Sequence, residues 1–345
     1  MKLFSQIKQS PAKSVARLAY SASILALTAS LAACGGGATT DTADTAEGDV
    51  AAGSDISGDV QIDGSSTVFP ISEAMSEEFM AANPGANVAV GVSGSGGGFK
   101  KFCAGETDIS NASRQIKDEE IAICEEAGIS FIEVPVAYDG ITVVINPEND
   151  FAECITVDKL NTMWSPDSEG AVDNWSQVDP SFPDEPLALF GPGTDSGTFD
   201  YFTDEVNGEE GASRGDYTAS EDDNVIVTGV ESSSGGLGYL GYAYYEENQD
   251  ALKSVAIENE DGECISPSFE TIADGSYNPM SRPLFFYVSQ EAYETKPQVT
   301  AFVDYHLDPA NGGLVAEAGY ITLPDTDLAA AKARVDERKT GKNPS

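Results

Sequence analysis

The chain has 345 residues, with 58 Asp and Glu against 18 Lys and Arg, a formal charge of −40 at neutral pH. Apolar residues make up 41% of it and aromatic residues 9%, which is enough for packed cores, and the length suits two domains of about 150 residues each. So negative a surface excludes non-specific nucleic-acid binding through a basic face and docking on anionic lipid, and a single histidine, His306, excludes multi-histidine metal sites.

The N-terminus carries Lys2, Lys8, Lys13 and Arg17 with no acid, then an apolar, small-residue run from Leu18 to Ala33. A basic start, a short apolar stretch and a small-residue junction describe an export signal over residues 1–33, too short for an ordinary membrane span. The junction Leu31-Ala32-Ala33-Cys34 resembles the bacterial lipobox, which implies that Cys34 is lipidated and becomes the mature N-terminus. Residues 35–58 hold no aromatic and no base, so residues 34–58 are expected to be a flexible acidic tether between a lipid and a folded body.

The body alternates short apolar runs with helical spacing. Val60 to Ile62 precedes a Gly-Ser-Ser-Thr turn, and Phe69 to Ala82 is predicted helical, with Pro70 near its first turn. Asn87 to Val92 reads as a strand, followed by a glycine-rich turn and a helix over Phe99 to Cys103. Strands are expected at Ile129 to Val134, Ile141 to Ile145 and Leu187 to Phe190, and helices at Val157 to Trp164 and Phe199 to Val206. Such units predict an α/β fold with ligand loops at the strand C-termini. His306, Trp164 and Trp175 read as packing residues.

Cys103, Cys124, Cys154 and Cys264 allow three connectivities, and sequence alone does not choose. The preferred pairing is Cys103–Cys124, whose loop of about 20 residues would contribute roughly 3 kcal/mol, leaving Cys154 for Cys264. No C-x-x-C pair points to zinc, and no metal or cofactor is expected.

Three segments place a Gly/Ser/Thr turn between strand and helix: Asp63 to Pro70, Ser93 to Lys100, and Gly193 to Phe199. A helix start leaves N–H groups unpaired and carries partial positive charge, and glycine lets that backbone approach a ligand. Each segment is a candidate anion cradle, and each also reads as an ordinary helix cap. A fourth segment, Asp108 to Arg114, sets Ser113 and Arg114 side by side, and a guanidinium can grip an oxyanion through two parallel bonds. Nucleotide motifs and a G-x-S-x-G elbow are missing.

On these residues the chain resembles the PstS family of phosphate-binding lipoproteins of bacterial ABC phosphate importers, nearest its SphX branch. The carriers are GSSTVFP (64–70), GSGGGFKKFCAGETDISNASR (94–114), VAYDGITVVINP (136–147), GPGTDSGTFDYF (191–202), GGLGYLGYAYY (235–245) and YNPMSRPLFFYV (277–288). The resemblance covers residues 59–325 and implies a two-lobed, hinge-closing periplasmic binding fold of type II. Lobe one would be 59–145 plus 282–345 and lobe two 146–281, crossing near Ile141–Ile145 and Arg282–Tyr287. It carries phosphate contacts onto Ser66, Thr67, Val68, Ser95, Ser196, Gly197 and Thr198, with Ser113 beside them. Where better-known members have an arginine, this chain has Pro192, and where they have an aspartate it has Arg114. Arg114 is therefore expected to be the cation. Asp139 is the candidate carboxylate that accepts the phosphate proton, a group that would reject sulfate.

The expected function is non-enzymatic: capture of inorganic phosphate and delivery to ABC permease subunits by a monomeric protein of the periplasm or cell surface. It would touch the membrane only through its lipid and bind no nucleic acid. The rivals are a receptor for sulfate or molybdate, a phosphatase with Ser196 as nucleophile, and a structural surface lipoprotein.

Overall fold

The computed structural model of the chain describes residues 56–343 apart from Asp195. The signal segment, Cys34 and nearly all of the expected tether lie outside the described residues. Strands and helices alternate at first: β1 (Ser57–Gly64), α1 (Phe69–Ala82), β2 (Gly85–Val92), α2 (Gly94–Cys103), β3 (Ile109–Ala112) and α3 (Asp118–Glu126). They lead to a strand of 15 residues, β4 (Phe131–Ile145). Next come β5 (Cys154–Ile155), α4 (Val157–Trp164), α5 (Trp175–Val178), β6 (Ala188–Pro192), α6 (Gly197–Asn207), β7 (Thr218–Ser220), α7 (Asp223–Ser232) and β8 (Gly236–Gly241). The return runs through α8 (Tyr242–Glu247), β9 (Lys253–Ser254), β10 (Ala256–Glu258), β11 (Cys264–Ile265), α9 (Phe269–Ala273) and β12 (Ser281–Ser289). Four helices follow: α10 (Gln290–Thr295), α11 (Pro297–His306), α12 (Gly312–Glu317) and α13 (Asp325–Asp336).

Local chemistry accounts for the helix positions. α1 has Pro70 in its first turn and buries Ile71, Met75 and Phe79 at four-residue spacing. Thr156 caps α4 by accepting the Lys159 N–H. Ser196 caps α6 in the same way through the Thr198 N–H, and α6 stops at Gly208, whose φ of 79° suits glycine.

Nine strands form one mixed sheet in the order β2-β1-β3-β12-β4-β8-β6-β7, with β9 added beside β4. β4 changes partner along its length, running antiparallel to β12 from Phe131 to Gly140 and to β8 from Ile141 to Ile145. One core, holding Val60, Ile62, Phe79, Val134, Phe286 and Phe302, lies on one side of that change. Ile141, Val143, Trp164, Phe202, Tyr239 and Ile257 belong to a second core. The molecule is thus a two-lobed α/β fold whose halves meet along β4 and β12. No helix among the described residues is long and apolar enough to cross a membrane.

Three local expectations change. The strands foreseen at Ile129–Val134 and Ile141–Ile145 are one strand. The pairing shifts between Leu284 and Phe285, leaving Val136 as an extra residue next to Pro135, and this bulge accommodates a proline that has no N–H to give. Ser57 and Gly58, assigned to the tether, instead pair with Gly85 and Ala86 as the start of β1, a backbone ladder that asks little of the side chains. The glycine-rich turn at Ser93 to Gly98 is already helical from Gly94 onward.

The bridges are Cys103–Cys124 and Cys154–Cys264, as preferred. The first ties α2 to α3, and the second ties the outer strands β5 and β11 of a separate three-stranded sheet. At separations of 21 and 110 residues, each closes a loop worth about 3–5 kcal/mol in the chain-entropy account.

Candidate functional site

The first cradle is the bend between β1 and α1. Ser65 is anchored by its N–H to the Asn111 carbonyl at 2.9 Å, and its own carbonyl accepts from the Phe69 N–H at 3.1 Å. Between these anchors the N–H groups of Ser66, Thr67 and Val68 have no acceptor among the described residues, so they are available to an anion. Gly64 makes the bend possible: its φ is 145°, and a Cβ there would sit 2.1 Å from the Asn111 carbonyl oxygen.

α2 supplies the second cradle. Asp63, at the end of β1, accepts hydrogen bonds from the Ser93 hydroxyl and from Lys101 Nζ, the latter at 2.6 Å. These bonds fix the chain entering α2. Ser95 Oγ lies 3.2 Å from Ser113 Oγ and accepts the Ser113 N–H at 3.1 Å, joining the second and fourth segments.

The third cradle is the N-terminus of α6. Its Gly197 abuts the first cradle, where a Cβ would lie 2.6 Å from Thr67 Oγ1 and 3.0 Å from Thr67 Cα. The turns that sequence singled out in separate parts of the chain therefore touch.

Beside this junction opens a cleft of about 810 Å³. Of the expected site residues, Ser66, Thr67, Ser95, Ser113 and Arg114 line it. Val68 is fully buried and offers only its amide, while Ser196, Gly197 and Thr198 form the abutting turn instead of the wall. Arg114 and Asp139 play other parts than expected. Arg114 donates to both Glu120 oxygens at 2.9 and 2.8 Å, and that bond raises the guanidinium further above its ordinary range. Burial pushes Glu120 up, but the bonds from Arg114 and the Lys117 N–H hold it below the usual carboxylate range. The Arg114 fork is thus already occupied. Asp139 is buried and stands beneath a different arginine, off the cleft wall.

That arginine is Arg282, at the start of β12 directly across from Asp139 on β4. Its Nε and Nη2 donate to Asp139 Oδ2 at 3.2 and 3.1 Å, and Nη2 also donates to Thr67 Oγ1 at 3.1 Å. Its guanidinium carbon lies 3.6 Å from the centre of the Tyr201 ring on α6. Nη1 has no partner among the described residues, and Arg282 lines the cleft. Sequence reasoning noted Arg282 only as a marker of the chain crossing. The available signal was an arginine before a proline in a chain with six arginines, next to a strand that places it opposite an aspartate.

Asp200, Asp204, Glu205 and Glu210 face the same cleft. Burial raises the Asp200 carboxyl, and Glu210 adds to the shift, while Arg282 and the Ser66 side chain pull it back. Glu205 is raised chiefly by burial as well.

Two α/β lobes joined at a pair of strands, with helix N-termini and a guanidinium gathered at the cleft between them, define a substrate-binding protein. A family model described as a PBP superfamily domain matches residues 49–310. Protein SphX of Synechococcus elongatus is 49% identical over 282 residues, 82% of each chain, and the phosphate-binding protein PstS of Staphylococcus saprophyticus is 38% identical over 89% of this chain and 90% of its own. A solved structure of a possible phosphate-binding protein from Planctomyces limnophilus is 47% identical, covers 82% of this chain and 99% of that one, and superposes with a TM-score of 0.79. The chain belongs to the PstS and SphX family of the PBP superfamily.

Proposed function

We propose that the protein captures inorganic phosphate between its lobes and delivers it to the permease of an ABC importer. One observation carries this reading: three unpaired amides at Ser66–Val68, the start of α6 and the open edge of Arg282 converge on one spot. A tetrahedral oxyanion needs several donors at once, and such a spot offers them in a desolvated setting where each bond is strong. A relative named as a phosphate-binding protein, and a solved structure described as a possible one, support the choice of oxyanion.

In this reading the lobes are 59–140 with 282–345, and 141–281, the first boundary moved from 145 because Ile141–Ile145 pair with β8 and pack in the second core. Ser66, Thr67, Val68 and Gly197 hold the anion, Arg282 supplies the charge, and Ser95, Ser113 and Arg114 form the outer wall. Ser196 fixes the third turn through its cap to Thr198. Asp139 anchors Arg282, so the part of accepting the phosphate proton passes to Asp200, whose pKa is raised by burial and which lines the cleft, as suits a hydrogen-bond acceptor near an anion. Export through residues 1–33 and a lipid on Cys34 would hold the monomer at the outer side of a membrane, where the permease works. His306 cannot serve the phosphatase alternative as its base, since it is buried against Phe286 in the first lobe's core, with ring centres 4.6 Å apart.

Isothermal titration of phosphate-stripped protein tests the proposal. Phosphate should bind one to one, Arg282→Ala should weaken it by about 2–3 kcal/mol, the scale of a lost charge-assisted bond, and Arg114→Ala should cost much less. Asp200→Asn should narrow the preference for phosphate over sulfate. Sulfate binding as tight as phosphate would instead favour the general oxyanion receptor, and no binding of either would defeat the proposal.

A further inference from the structure

Every edge of the Arg282 guanidinium but one has a protein partner. Asp139 Oδ2 takes Nε and Nη2, Thr67 Oγ1 takes a second bond from Nη2, and the Tyr201 ring covers a face at 3.6 Å. A ring stacked on a guanidinium restrains its plane without using any N–H, because the donors lie in that plane. The ring is itself held: it is 4% exposed, packs in the second core, and its hydroxyl donates to the Pro279 carbonyl at 2.5 Å. Tyr201 lies one helical turn after Gly197, so α6 presents its N-terminus to the cradle and this ring to Arg282 at the same time.

Building on the phosphate-capture reading, we propose that Tyr201 is a positioning residue that turns the Nη1 edge of Arg282 into the cleft and couples this cation to α6. When the lobes close, α6 seats this ring on Arg282 as its N-terminus meets the first cradle, so the cation is oriented at the moment the third cradle arrives. A tyrosine that merely filled the core would carry no such coupling.

The test compares Tyr201→Phe, which keeps the ring, with Tyr201→Leu, which removes it, using inorganic phosphate as probe. Tyr201→Phe should bind within about threefold of the parent, and Tyr201→Leu should bind about tenfold more weakly. In an Arg282→Lys background the leucine change should add less than about threefold, since the stacked partner is gone. A second readout needs no ligand: the Nε–H resonance of Arg282 should show a ring-current shift and slow exchange in the parent and Tyr201→Phe, and lose both in Tyr201→Leu. Parent-like affinity in Tyr201→Leu, or equal losses in both backgrounds, would overturn the coupling. Absence of phosphate binding by the parent would overturn the functional reading alone, and the resonance would still decide whether the stack orients Arg282.

Discussion

At the scale of single residues, closeness decides the chemistry. Gly197 meets Thr67 so tightly that a methyl group would lie 2.6 Å from Thr67 Oγ1, which Arg282 holds in place, and press on Thr67 Cα at 3.0 Å. Gly197→Ala should therefore hold the two cradles apart and raise the phosphate dissociation constant about tenfold, equivalent to ~1.4 kcal/mol. The ligand-free melting temperature should move little, because an opened cleft relieves the clash. Calorimetric titration beside a thermal shift would check this, and unchanged affinity would mean the two turns do not close on the ligand together. The same scale explains what sequence misassigned. Arg114 looked like the free cation, yet Glu120, six residues on in α3, occupies its fork. Asp139 looked like a proton acceptor, yet its strand register sets it against Arg282. Neither partnership has a local signature, since one needs a helix folded back and the other needs β12 to return from far along the chain.

At the scale of elements, much was legible. α1 and α4 follow the bounds that apolar spacing and capping set, because their hydrophobic faces and first-turn residues agree. The stretches on either side of Pro135 and Gly140 read as two strands, and only pairing with β12 and β8 shows one. α2 was obscured by glycines that disfavour helix in isolation, a preference overridden when Gly98 must pass within reach of Gly64. α11 carries a further consequence in its last residue. Burial lowers His306 from 6.5 to about 4, so the folded protein resists a proton that the unfolded chain accepts. The resulting stabilisation is complete above pH 6.5 and drains away as pH falls toward 4, by an amount on the order of 3 kcal/mol. Urea unfolding between pH 7 and 4 should thus steepen relative to a His306→Gln variant. Parallel pH profiles for the two proteins would contradict this.

At the scale of the whole molecule, a charge of −40 opposes the approach of any anion. Attraction by Arg282 is cancelled beyond a few ångströms by Asp139, and Asp204, Glu205 and Glu210 stand at the same opening. Added salt screens the distant repulsion with a Debye length of about 10 Å at 0.1 M, while buried contacts are screened far less. Stopped-flow measurements should find the association rate rising with sodium chloride and the affinity nearly constant. A steep loss of affinity with salt would show that long-range attraction holds the ligand after all.

The path of β4 has a mechanical corollary. Because its last five residues complete the sheet of one half while its first ten complete the other, neither half keeps a finished set of strands without it. Heat or denaturant that frees β4 would strip β8 and β12 of a neighbour together, so unfolding is shared by the two halves and not settled in each separately. The same continuous ribbon that lets the cleft bend also makes the whole body melt as one.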